Sequence, residues 1–93
     1  MTPTEFEKQL NTEGYVEIVD RLREPSDTSA EHSHEFDARL LVLEGEMTIA
    51  CNGKPQTFRA GDSCSVPAGT LHTEQYGAGD KGVRFIAGRR YKA

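Results

Sequence analysis

Tryptophan is absent from the 93 residues, cysteine occurs twice, histidine three times and proline four times. Two cysteines cannot make a disulfide framework, and neither has a partner at zinc-finger spacing, so a disulfide-stapled scaffold and a cysteine zinc site are excluded. Cys51 and Cys64 read as reduced, half-buried small apolar residues. Apolar runs are short, far below the roughly 20 residues of a membrane-spanning helix. Positive charge is scarce as well: 11 Lys and Arg against 15 Asp and Glu give a net charge of −4. Duplex binding depends on a basic surface. The one basic cluster, Arg89-Arg90-Tyr91-Lys92, reads as a solvated strand end. The opening MTPTEFEKQL lacks the basic-then-apolar layout of a secretory signal. The expectation is a cytoplasmic protein with neither nucleic acid nor membrane as partner. Length itself is limited, since a chain this short forms one domain burying only about 60–65% of its unfolded surface. A partner subunit is one way to add stability.

What is present begins with a helix signal. Thr2, Pro3 and Glu5 spell a capping box with proline at the first helical position. Phe6 and Leu10 fall four apart on one face, and Gly14 supplies a left-handed stop, so residues 3–13 are expected to be helical. After Gly14 the pattern has period two. Strands are expected at 15–22, with Val16 and Ile18 on one face, and then at 30–34, 39–51, 55–59, 63–66, 71–76 and 83–90. Asn52-Gly53 marks a hairpin whose two central residues need positive φ. Gly45, Gly61 and Gly69 mark corners. Leu40, Val42, Leu71, Met47, Ile49 and Phe58 are the expected core or cavity lining. Seven or eight short strands imply a sandwich or small barrel. Residues 1–14 then form an N-terminal helical segment and 15–93 the β-domain.

The chemistry sits in HSH and its distant partner. Alternate residues of a strand share a face, so His32 and His34 present two imidazoles side by side while Ser33 faces away. His72 lies in another strand, with Glu74 and Tyr76 on its own face. If the two faces meet, three neutral imidazoles converge. Imidazole suits Fe, Zn, Ni and Cu, and an incomplete protein ligand set leaves room for water or substrate.

These stretches carry a family resemblance. HSHEFDARLLVLEG resembles the first motif of the cupin superfamily, and GDSCSVPAGTLHTEQY resembles the second. His32, His34 and Gly45 meet the first pattern, with Ser26 in place of its leading Gly. Gly61, Pro67, Gly69 and His72 meet the second, with Tyr76 where Asn is usual. The resemblance implies an all-β fold: a small double-stranded β-helix, or jelly-roll, barrel with one short N-terminal helix. It also implies a divalent metal, Fe, Zn, Mn or Ni, on His32, His34 and His72. The family's metal-binding Glu should fall at 38, where this chain has Ala38; the longer spacing gives Arg39, which cannot ligate. The site is then a three-histidine centre, a centre completed by a displaced carboxylate, or one that binds metal weakly or not at all. Asp37 is the first choice of displaced carboxylate, ahead of Glu35, Glu31 and Glu74. A regular strand aims Asp37 outward, so that role requires a bulge between His34 and Arg39.

Three functions stay open on these residues. One is a metal-dependent enzyme acting on a small polar molecule, with Tyr76 or Glu74 as the proton-transfer group. A second is a module that binds a small ligand without turnover. The third is a dimerisation module, in which strand 15–22 offers its edge to a second copy. A homodimer is the expected assembly.

Overall fold

The computed structural model describes residues 1–25 and 27–91. Ser26, which stands where the first motif has Gly, and Lys92 of the terminal basic cluster lie outside the described residues. The capping box forms as the opening residues require. Thr2 Oγ1 accepts from the Glu5 amide at 3.1 Å, and the Glu5 carboxylate accepts from the Thr2 amide at 3.4 Å. The helix, α1, runs Pro3–Thr12. It ends where Gly14 takes φ 84° and the Tyr15 amide turns back to the Leu10 carbonyl at 2.8 Å.

Among the described residues seven strands follow: β1 (Val16–Arg23), β2 (Phe36–Glu44), β3 (Glu46–Cys51), β4 (Lys54–Arg59), β5 (Ser63–Val66), β6 (His72–Tyr76) and β7 (Val83–Tyr91). They make two antiparallel sheets, of order β1-β7-β2-β5 and β4-β3-β6. The expected single strand 39–51 is two strands belonging to different sheets. Gly45 turns the corner at φ 79°, and a Cβ there would collide with the Gly82 carbonyl oxygen. Only glycine meets both demands. The Asn52-Gly53 hairpin forms as expected, with φ of 53° and 77° and Cys51 opposite Lys54.

Alternation gives the four-stranded sheet two apolar faces and therefore two cores. Leu40, Val42 and Phe85 face the other sheet and pack with Met47, Ile49, Val66, Tyr76 and Val83. Leu41 and Ile86 face outward and pack with Phe6, Leu10 and Tyr15, so the helix closes the back of the sheet. Leu71 does not join either core; it is 49% exposed, because it precedes β6 and lies outside the ladder that would have turned it in.

Two further strand expectations need correction. In β1, Val16 and Ile18 do not share a face. Glu17 adopts φ 53° and the register against β7 slips between Val16 and Val19, so a bulge leaves Val16 exposed while Ile18 packs on the helix-side core. The stretch 30–34 is not a strand either. It touches β6 by one bridge, His32 to His72, and a second bridge, Thr28 to Gln75, is one residue out of register with it. Ser29 Oγ takes the Glu74 amide at 2.9 Å, so a side chain fills one rung of the broken ladder. Among the described residues, no helix is long and apolar enough to cross a membrane.

Candidate metal centre

Period-two alternation persists through residues 31–35 without a ladder: Glu31, Ser33 and Glu35 are exposed, while His32 and His34 are turned in. His72, the first residue of β6, is 1% exposed. The three rings meet. Their centroids are 4.6 Å apart for His32 and His34, 4.4 Å for His32 and His72, and 5.3 Å for His34 and His72. They occupy the wall of a cavity of about 300 Å³ between the sheets, floored by Leu40, Met47, Val66 and Phe85.

Backbone carbonyls fix which nitrogens face inward. His32 Nδ1 lies 2.7 Å from the Ala30 carbonyl oxygen, and His72 Nδ1 lies 2.8 Å from that of Thr70. A carbonyl only accepts, so each Nδ1 carries the proton and donates it. In the neutral ring Nε2 is then a bare lone pair directed at the cavity. His32 Nε2 is 3.1 Å from His34 Nε2, and His72 Nε2 is 3.3 Å from Glu74 Oε1. His34 is steadied by stacking on Phe36, with centroids 4.5 Å apart. The carboxylate is held from its other side by the Tyr76 hydroxyl, which donates to Oε2.

These four groups fit a divalent ion. One donor atom from each of His32, His34, His72 and Glu74 lies within 4.8 Å of the others. Ligands at about 2.0–2.1 Å from one ion sit roughly 3–3.4 Å apart at tetrahedral or right angles, the spacing of the two close contacts. With Nδ1 of His72 protonated, its Nε2 and Glu74 Oε1 are both acceptors and repel, and a cation between them turns that repulsion into binding.

Glu74 is a donor that sequence reasoning placed behind Asp37 among the displaced carboxylates. Its signal was there, since it lies two residues beyond His72 on the same face of β6. Ala38 does line the cavity, so a Glu at that position would have projected inward from β2. Asp37 requires a correction as a ligand. Its neighbours in β2 keep unbroken register with β7 from Phe36 to Val42, so the required bulge is missing. The side chain points to the helix side instead. Oδ1 accepts from the Ala68 amide at 2.9 Å, and Oδ2 pairs with Arg90 at 3.0 Å.

Burial, first, and then the neighbouring His32 and His72 hold the His34 pKa below its ordinary value of 6.5, while Glu74 pulls the other way. The sign follows by linkage. Between the ordinary and the depressed value the unfolded chain binds the proton and the folded chain does not, so stability falls as pH drops below about 6.5. In chelator-treated protein the urea midpoint is therefore expected to be lower at pH 5.5 than at 7.5, with a smaller loss in His34→Gln. Equal losses in the two proteins would place the effect elsewhere. Burial and the adjacent Glu74 likewise raise the Tyr76 hydroxyl, so it stays protonated and able to donate at neutral pH. Burial pushes the Cys64 thiol up to about 12, and both cysteines are free thiols, as expected.

Comparisons with known proteins agree with this fold. The family described as Cupin domain matches residues 22–87. The quercetin 2,3-dioxygenase of Bacillus subtilis is 33% identical over 66 residues, covering 70% of this chain but 20% of that enzyme. This chain thus spans about a fifth of that curated relative. Among solved structures, a predicted oxalate decarboxylase from Thermotoga maritima superposes with a TM-score of 0.73 at 22% identity, covering 91% of this chain and 74% of that one. A Cupin 2 conserved barrel domain protein from Salinispora arenicola gives 0.70 at 22% identity, covering 82% and 62%. At such identities the structures share the fold, a cupin jelly roll, which this chain carries together with one short N-terminal helix, Pro3–Thr12.

Proposed function

The chain belongs to the Cupin domain family, and from that premise we propose that it holds one divalent metal ion and binds a small polar molecule beside it. His32, His34 and His72 supply Nε2, and Glu74 supplies the anionic oxygen that Ala38 cannot. The observation that carries this reading is the convergence of four donor atoms within 4.8 Å, two of them in tautomers set by backbone carbonyls. Fe, Zn, Mn and Ni all suit such a nitrogen-rich set with one carboxylate. The ion, when bound, supplies a Lewis acid that attracts and polarises an oxygen-bearing ligand.

The remaining side chains orient and exclude. Tyr76 is a positioning residue in this reading: its hydroxyl proton is committed to Glu74, which leaves Oε1 aimed at His72. Phe36 holds the plane of His34, and the apolar floor keeps water from the back of the cavity. The names of the Bacillus relative and the Thermotoga protein both describe turnover of a small molecule, which supports the cavity as the seat of function. We place self-association into a homodimer at the free edge of β1, where Val16 and Leu22 are 50% and 71% exposed.

Elemental analysis of untagged protein tests the metal reading. About one equivalent of a transition metal per chain is expected, and Glu74→Gln should weaken it about tenfold while leaving the fold intact. That magnitude follows from replacing a charged ligand by a neutral one while three imidazoles stay in place; each tenfold is worth about 1.4 kcal/mol. Failure of the wild-type protein to take up Zn, Mn, Fe or Ni at micromolar concentration sinks the proposal.

A further inference from the structure

The cavity wall is more positive than the chain that builds it. It holds Arg21, Arg23 and Arg89 against Glu17 and Glu74, a net +1 with the histidines neutral, in a chain of net charge −4. Glu17 is committed to Arg89, with Oε2 3.3 Å from Nη1. Glu74 is committed to the Tyr76 hydroxyl, which donates to it. Arg21 and Arg23 form no ion pair with any described residue. Both owe their direction to the bulge at Glu17. After it, Val19, Arg21 and Arg23 share the cavity side of β1, two residues apart. The Arg23 guanidinium carbon lies 4.9 Å from the centre of the Tyr76 ring, and the hydroxyl of that same ring reaches Glu74 beside the histidines.

We propose that the molecule bound here is a small carboxylate, held at the mouth by Arg21 and Arg23 with its apolar body over Leu40, Met47, Val66 and Phe85. The inference rests on reading this cavity as the ligand site, and it adds the ligand's charge and the residues that select it. A planar guanidinium matches a carboxylate with two parallel hydrogen bonds, and no carboxylate among the described residues satisfies either arginine. A positive cleft in an acidic protein concentrates anions at that one place. The volume of about 300 Å³ admits a ligand of roughly one aromatic ring plus its head group. The competing role for these residues is protective: exposed charge on an edge strand discourages strand pairing between copies. That role changes aggregation and leaves ligand choice untouched.

Two probe pairs of matched shape separate the roles: acetate against acetamide, and benzoate against benzamide. Each is titrated at low salt into zinc-loaded full-length protein and into the same protein stripped with EDTA, followed by calorimetry and by amide shifts. Benzoate is expected to bind at least about tenfold tighter than benzamide, a difference of about 1.4 kcal/mol. The double substitution Arg21→Gln with Arg23→Gln should reduce that ratio to about twofold or less, with zinc stoichiometry and thermal midpoint unchanged. Arg21→Lys with Arg23→Lys keeps the charge and should retain part of the preference. Equal binding of acid and amide, no saturable binding of either pair, or a preference that survives the double Gln substitution overturns the proposal. The two readings fail separately. A preference that persists in stripped protein unable to take up zinc upholds the anion site and removes the metal. Zinc uptake without preference does the reverse.

Discussion

His72→Ala is expected to purify folded and without metal. Wild type and variant, prepared without a histidine tag and equilibrated with the same zinc buffer, should differ in affinity by about 100-fold or more, at least ~2.7 kcal/mol. The size of the effect follows from what His72 does. It is the most buried of the three rings, its tautomer is fixed by the Thr70 carbonyl, and its Nε2 lies 3.3 Å from Glu74 Oε1. Truncation therefore removes one of the four donor atoms outright. Loss of groups that only support a ligand costs about 10–100-fold, and loss of the ligand belongs at or beyond the top of that range. Circular dichroism guards against the trivial outcome, because the β6 ladder to β3 is made by the backbone and does not need the ring. Equal metal in the two proteins would remove His72 from the centre.

Phe6→Ala should be the most damaging substitution outside the cavity. Phe6 is 0% exposed and fills the space between α1 and the outer face of β2 and β7, against Leu41 and Ile86. Arg39 lies over its ring, 5.2 Å from the centroid, and pairs with Glu13 at 3.2 Å. Removing a buried phenyl costs about 3–5 kcal/mol. Set against roughly 5–10 kcal/mol of total stability for a domain this small, the loss leaves the chain near the edge of folding. In thermal unfolding the midpoint should fall by roughly 12 °C or more. A fall of under 4 °C would mean that the helix adds little to the sheet it covers.

The capping box, Phe6 and Leu10 on one face, the Asn-Gly hairpin and the alternation of β2 and β7 were legible because each is local or strictly periodic. So was the inward pairing of His32 and His34, which persists even though their segment makes only one bridge. The bulge at Glu17 was not legible. It depends on how β1 meets β7, some seventy residues away, and nothing in YVEIVDRL marks it. Arg21 and Arg23 were missed for the same reason, since the bulge decides which way they face. Asp37 attracted attention because it adjoins the vacant ligand position. Adjacency in a strand means the opposite face, and Glu74, far away in sequence but on the same wall as His72, was the better choice. Spacing within one strand can be counted; proximity across the sandwich has to be seen.

The turn carrying Pro67 to Thr70 is fastened from outside the barrel. Asp37 grips the Ala68 amide from behind while Arg90 grips Asp37, the Gly69 amide bonds the His34 carbonyl at 2.9 Å, and the Thr70 carbonyl steers His72. Three consecutive residues thus relay the posture of two imidazoles to an ion pair on the far side of the wall. Distance from the chemistry is no protection at such a spot: a lesion at the outer rivet would be felt as slack in the grip within.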